Sequence, residues 1–400
     1  MSATHATCSP MASGSGGRSS PAGVKATPVV VIGAGAAGLG VALELARRGV
    51  SATVLERESE PASSWRRRYD GLRLNTVRTL SGAPRHPMPR TAGRWPTREA
   101  FVAYLAGLAR TPGIGLRFGV EATGVDRQGT NWLVSTTAGD LRSAGVVVAT
   151  GYDRAPHVPD WPGRKGFAGE LLHSSHYRSP ERFNGARVLV VGPGNSGTEI
   201  ATQLARAGVS VQLAVRTPVN LVPAEMWGLP ATYLARMTET APVALVDLVG
   251  RVSQRLSCGD LGPHGMGRAP RGIGSELRLR GRGPVMERGF VGELKAGRVT
   301  IVAAVERLES QQVLLADGSS VRPDVVIAAT GYRHGLEPLV GHLGVLAGGR
   351  PLVVNGRDDP RAPGLHFHGF WLPMSGQLPA MRRSARRIAR SLATRAVAGG

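Results

Sequence analysis

The sequence predicts an α/β protein of three-layer ββα/βαβ type, with two Rossmann-like dinucleotide-binding domains and the second inserted into the first. Three observations carry this. The stretch VVVIGAGAAGLGVA, Val29 to Ala42, reads as a strand, a glycine turn and a helix. The stretch VLVVGPGNSGTEIA, Val188 to Ala201, reads the same way. After each comes an apolar strand ending in ATGY, at Val146–Tyr152 and Val325–Tyr332.

The first turn carries Gly33, Gly35 and Gly38, and the second Gly192, Gly194 and Gly197. Glycines at this spacing allow a tight turn and a close approach by a pyrophosphate, and the helix start offers it unpaired N–H groups. The strands that follow differ. SATVLER ends at Glu56 and Arg57, where a carboxylate can accept the two ribose hydroxyls of an adenosine. SVQLAVR has Val215 at the equivalent place and then Arg216, which suits a 2′-phosphate. The first site therefore suits FAD or NAD and the second NADPH. FAD with NADPH is the usual pair, since a flavin accepts a hydride and can then meet oxygen or a disulfide.

The two ATGY turns, the first containing Thr150, are read as points where the chain crosses between domains. This gives an FAD domain over 28–155 and 320–400, an NADPH domain over 156–319, and a disordered tail over 1–27 that is rich in Ser, Ala, Gly and Pro. The net charge of +21 is nearly all scattered arginine, with only three lysines, and no aromatic-interleaved basic stripe points to nucleic acid. Cys8 and Cys258 give neither a disulfide framework nor a zinc spacing, which counts against a disulfide reductase. No apolar run spans a bilayer, and VALVDLVG, Val243–Gly250, is read as part of a packed helix. A cytoplasmic monomer or homodimer is expected.

Further residues resemble a known family. GFAGELLHSSHY holds Phe167, Gly169, His173 and Tyr177 in the FxGxxxHxxxY pattern of class B flavin-containing monooxygenases. SSWRRRYDGLRLN resembles the flavin-side segment of that family. GRWPTREAFVAYLAGLA, GNSG (Gly194, Asn195, Ser196, Gly197) and the second ATGYR resemble its YUCCA-type branch. The resemblance implies a monooxygenase in which NADPH reduces FAD, O2 adds at flavin C4a, and one oxygen atom passes to a small organic substrate. The outcome is N- or S-oxygenation, hydroxylation or oxidative decarboxylation of a 2-oxo acid. An NADPH-dependent flavin oxidase or reductase is an alternative. A Baeyer–Villiger enzyme is another, although Arg178 after Tyr177 argues for the hydroxylating branch.

The resemblance also implies roles for single residues. Asn75, where YUCCA-type proteins usually have histidine, is the candidate catalytic donor near the bound oxygen; an amide donates without releasing a proton. Trp65 would pack beside the isoalloxazine. His173 and Tyr177, on a stretch read as irregular linker, would couple the domains and hold the nicotinamide cofactor. Ser375–Ala393 reads as an amphipathic helix with Pro379 at its start, its N-terminus aimed at the flavin.

Overall fold

The computed structural model describes residues 25–226 and 228–398 (for 25–28 and 396–398 the backbone alone), so the expected tail over 1–24 lies outside the described residues. Residues 25–27 are not tail. They open β1 (Lys25–Ile32), where Lys25 registers with Leu141. β1 leads through the Gly33–Gly38 turn into α1 (Ala36–Ala46), whose apolar sequence is buried on nearly every side, and then into β2 (Ala52–Glu56). Next come α2 (Arg98–Ala109), N-capped by the Thr97 hydroxyl, and β3 (Gly115–Phe118). The hairpin of β4 (Ala122–Gln128) and β5 (Asn131–Thr136) then passes into β6 (Leu141–Val148).

The first ATG turn ends in β7 (Ala155–Pro156), where the chain leaves for the second body. That body opens with β8 (Glu170–His173), so the stretch read as linker is a short edge strand. β9 (Arg187–Val191), α3 (Asn195–Arg206) and β10 (Ser210–Ala214) follow. Three helices come next: α4 (Ala231–Met237), α5 (Val243–Cys258) and α6 (Ile273–Arg280). β11 (Val299–Val302) and β12 (Val325–Ala328) complete the second sheet. β13 (Tyr332–Arg333) pairs antiparallel with β7, zipping the two crossings together. The return adds β14 (Leu365–Phe367) and the long α7 (Gln377–Ala398).

The first sheet has seven strands, ordered β3-β2-β1-β6-β5-β4 with β14 on the upper half of β6. The second has five, all parallel, ordered β11-β10-β9-β12-β8. β12 therefore belongs to the second sheet, and the return falls near residue 330 rather than at the expected 320. The strand before each ATG turn closes the sheet of the preceding cradle: Ala149 N–H donates to Ile32 and Ala329 N–H to Val191, both at 2.9 Å.

α5 contains Val243–Gly250, as expected of a helix, but its apolar side faces outward: Leu245 and Leu248 are each at least half exposed. Among the described residues no helix is long and apolar enough to cross a membrane.

The two bodies meet along residues 65–75. The Tyr69 hydroxyl donates to Glu199 Oε2 at 2.6 Å, and Gln203 Nε2 donates to the Asp70 carbonyl at 3.0 Å. Arg68 reaches Asp153 at 2.6 Å and the Tyr332 hydroxyl at 3.2 Å. Burial, reinforced by Glu199, pushes the Tyr69 phenol well above its usual range, and burial raises the Glu199 carboxyl as well. Removing one partner of such a buried pair leaves the other unsatisfied. Tyr69→Phe is expected to lower the unfolding free energy by about 1–3 kcal/mol in urea titrations. No change would show that the carboxyl needs no phenol.

α7 lies across β1, β6 and α1 and buries Ala385, Ile388, Ala389 and Leu392. His368 sits beneath it, 1% exposed, with Nδ1 3.1 Å from the Ser384 hydroxyl and no partner at Nε2. Burial, with His366 nearby, pushes its pKa down from 6.5 to about 3. Between those values the unfolded chain binds a proton there and the folded chain does not. Stability is therefore full above pH 6.5 and falls as pH drops toward 3. The loss from this group is expected to be about 2 kcal/mol between pH 7 and pH 5. His368→Gln should flatten the curve of unfolding free energy against pH; an unchanged slope would assign the effect to other groups.

Candidate active site

Each cradle is set by two glycine positions. Gly33 and Gly192 have φ of 110° and 108°, a region that favours glycine. A Cβ on Gly38 would lie 1.8 Å from the Gly33 carbonyl oxygen, and one on Gly197 equally 1.8 Å from that of Gly192. Gly38 and Gly197 thus serve the packing of helix on strand and are not walls of the site, the role the third glycine has in such turns. The cradles also hang on neighbouring strands alike: Gly33 N–H donates to Leu55 at 2.7 Å and Gly192 N–H to Ala214 at 3.0 Å. This makes Glu56 the counterpart of Val215, and Arg57 that of Arg216.

A cleft of about 530 Å³ runs between the two bodies. The first cradle opens into it through Gly33 and Gly35, beside Glu56, Arg57 and Thr150. The second opens into it through Asn195 and Ser196, whereas Gly192, Gly194 and Arg216 stand outside its walls. The cradles fit the groups the sequence calls for. A Cβ at Gly35 or Gly194 would meet nothing within 4 Å, and neither helix start is capped by a side chain. The buried Thr150 Oγ1 has no partner in the protein. Such helix starts are anion sites.

The remaining expected residues take definite places. Glu56 is buried at the end of β2; its Oε2 accepts Ala34 N–H at 2.9 Å and its Oε1 accepts Glu58 N–H at 3.2 Å, which fixes the carboxylate and leaves lone pairs free. Arg57 is partly exposed at the rim, 3.4 Å from Glu58. Trp65 packs edge-on against Phe101 at 4.7 Å and lines the cleft. Asn195 is more engaged than its motif suggests, since its Oδ1 accepts Met286 N–H at 2.9 Å and so clamps the inserted segment to α3. Arg216 is exposed just past the end of β10.

His173 and Tyr177 are both interior. His173 Nε2 lies 3.0 Å from the Gly331 carbonyl, and burial lowers its pKa, so it rests neutral under the second crossing. The Tyr177 hydroxyl donates to Gln203 Oε1 at 3.0 Å. Gln203 in turn holds Asp70, so the pair supports the seam and stands away from the cleft.

Asn75 lines the cleft between two anchored neighbours. Leu74 N–H donates to Pro96 at 2.9 Å, and the Thr76 hydroxyl lies 2.7 Å from that of Ser81. Its own Oδ1 is buried without a protein partner. Several residues that the sequence does not announce complete this end. Leu277, Met286, Leu372 and Met374 form an apolar wall. Thr232 at the start of α4 is 7% exposed, with Oγ1 unpartnered. Arg288 donates to the Leu74 carbonyl at 2.8 Å and stacks over Trp95 at 4.8 Å. Gly376 and Gln377, at the N-terminus of α7, line the cleft. Among the described residues no group of His, Cys, Asp and Glu could hold a metal ion.

A family model for pyridine nucleotide-disulphide oxidoreductases matches residues 30–226. Cys258 is buried and free, and Cys8 lies outside the described residues. Indole-3-pyruvate monooxygenase YUCCA1 of Oryza sativa subsp. japonica is 40% identical over 309 residues, 76% of each chain. The probable indole-3-pyruvate monooxygenase YUCCA1 of Arabidopsis thaliana is 34% identical over 311 residues, 76% of this chain and 75% of its own. The flavin-containing monooxygenase from Stenotrophomonas maltophilia superposes with a TM-score of 0.71 at 25% identity, over 93% of this chain and 99% of that one. Cyclohexanone monooxygenase from Rhodococcus sp. Phi1 bound to NADP+ shares the fold at 20% identity, with a TM-score of 0.69 over 93% and 85%. With both cradles facing one cleft, the chain belongs to the class B flavin-containing monooxygenases of the YUCCA type, FAD- and NADPH-dependent oxidoreductases that insert an oxygen atom from O2 into a small organic substrate.

Proposed function

We propose that the chain oxidatively decarboxylates an aryl-substituted 2-oxo acid. The observation that carries this is the cleft's lining, which combines apolar Leu277, Met286, Leu372 and Met374 with two unpartnered polar atoms, Asn75 Oδ1 and Thr232 Oγ1. A flat aromatic group suits the apolar lining, the Thr232 hydroxyl and the Asn75 Nδ2 amide can donate to the oxygens of a 2-oxo acid, and Asn75 Oδ1 is left to accept. The indole-3-pyruvate monooxygenases similar to this chain agree in substrate class. The balanced reaction takes the 2-oxo acid, O2, NADPH and a proton to the acid one carbon shorter, CO2, water and NADP+.

FAD, when bound, takes the electrons of NADPH and activates O2. The chain's own residues supply position and shelter. The α1 and α3 starts receive the two pyrophosphates, Glu56 the ribose of the first dinucleotide, and Arg216 the 2′-phosphate of the second. Thr150, with its buried hydroxyl, lies beside Gly33 on the flavin side. Asn75 donates from Nδ2 near the reacting oxygen, and as a neutral amide it holds its protons. Trp65, Met286 and Leu372 keep water from that end.

The test is product analysis with the FAD-loaded enzyme, NADPH and O2, offering indole-3-pyruvate and phenylpyruvate against a panel of sulfides and amines. One shortened acid and one CO2 per NADPH is the expected result; oxygenated sulfide or amine formed in preference would overturn it. Asn75→Ala is expected to cut coupled product about tenfold to a hundredfold while NADPH is still consumed and hydrogen peroxide appears; product still stoichiometric with NADPH would remove the role. Arg216→Ala is expected to raise KM for NADPH about tenfold and leave that for NADH unchanged, as steady-state kinetics with each cofactor will show. An equal effect on both would deny the arginine its phosphate.

A further inference from the structure

The inward side of α5 buries Val246 and Cys258 together with polar Asp247 and Ser253, and a second apolar row is left outside. Asp247 points into the protein, where Oδ1 accepts Gly274 N–H at 2.7 Å and Ser275 N–H at 3.1 Å, and Oδ2 accepts the Ser275 hydroxyl. The carboxylate thereby caps the start of α6, the favourable place for a negative charge. Gln254 Oε1 accepts Leu221 N–H at 3.0 Å, and the Ser253 hydroxyl meets Met226 Sδ at 3.0 Å. These bonds fix the helix's rotation. They leave Leu245 (50% exposed), Leu248 (54%), Val249 (51%), Val252 (49%) and Leu256 (74%) on the opposite side. The spacing i, i+3, i+4, i+7, i+11 places all five on one stripe. α6, packed against α5, adds Leu279 (69% exposed), and Met237 at the end of α4, a few residues before α5, is 80% exposed.

A continuous exposed apolar stripe needs a partner. Its surroundings say which kind. Arg251 and Arg255 flank it on α5, Arg236 follows on α4, and Arg278, Arg280 and Arg282 lie on or just after α6; all are exposed. Among the described residues from 231 to 282, Asp260 is the one exposed acid. A second copy of this chain would bring the same arginines to the same face, and like charges at close range oppose such pairing. A surface with anionic headgroups above an apolar interior satisfies both features at once: the stripe sinks to the acyl boundary and the guanidiniums bind the phosphates.

We propose that the α5–α6 face docks the enzyme on anionic lipid bilayers as a peripheral protein, lying in the interface without spanning it. This is independent of the reaction assigned above. It also has a geometric consequence for the site, because α6 carries both exposed Leu279 and cleft-lining Leu277. The docked face therefore adjoins the substrate wall.

Flotation of the full chain with vesicles tests this, using phosphatidylcholine alone and phosphatidylcholine mixed with phosphatidylglycerol. Partitioning at least about tenfold stronger on the mixed vesicles, and weakened by added salt, is expected. Leu248→Glu with Val252→Glu should abolish it while flavin content and thermal unfolding stay as in the parent, since both side chains project away from the fold. Arg251→Gln with Arg255→Gln should weaken it on mixed vesicles alone. Equal binding by the parent and the double-glutamate protein would overturn the proposal, as would no binding to either vesicle. A parent that forms a concentration-dependent dimer, ignores vesicles and becomes monomeric with the two glutamates would overturn it too, by giving the face to a second copy.

Discussion

Two places where a side chain cannot be tolerated set the geometry of this protein. At Gly38 and Gly197 the first helical turn lies so close to the preceding strand's end that a methyl group would fall 1.8 Å from a carbonyl oxygen. That approach draws α1 and α3 down onto their sheets and points their open N-termini along the cleft. The strand that ends in Glu56 and the one that leads to Arg216 hang on the same turns by matching hydrogen bonds. Phosphate position and ribose discrimination thus follow from one backbone contact, made twice.

Between the cradles the seam does what the glycines cannot. Residues 65–75 run from the flavin side to the base of α3, tied by Arg68 to Asp153, by Tyr69 to Glu199 and by Asp70 to Gln203. Asn75 stands at the far end of the same segment, with its neighbours anchored. The residue assigned to the reacting oxygen is thus held by the same stretch that fixes the second body. A small change in how the bodies dock would move Asn75 against the cleft, and misplacement on the ångström scale is costly for positioned groups.

Much of this was legible because it is local. A glycine turn between a β-branched strand and a helix declares itself within some fifteen residues, and the repeated ATGY reported both crossings. What failed was non-local. β8 has four residues and pairs with β12, more than 150 positions later, so GELLH read as linker. Val325–Ala328 was given to the wrong body because its apolar run looks the same in either sheet; only its pairing with Val188–Val191 decides. The outward face of α5 was hidden as well, since periodicity tells that a helix has an apolar side and not which way Asp247 turns it. Thr232, Met286 and Leu372 carry no motif. They are far apart in sequence and meet only in the folded cleft, where Asn195 clamps Met286.

The paired crossings have a consequence of another kind. β7 and β13 are hydrogen-bonded to each other, so the inserted body enters and leaves the first at a single spot. Its two ends are held together much as a cassette is held by one clip. Such a body can be exchanged between relatives as a unit without rethreading the flavin sheet, provided the newcomer brings counterparts of Glu199 and Gln203 to meet the seam. Preference for one nicotinamide or another then travels with that body, together with Thr232, Leu277 and Met286 of the cleft, while Asn75 and the first cradle stay behind.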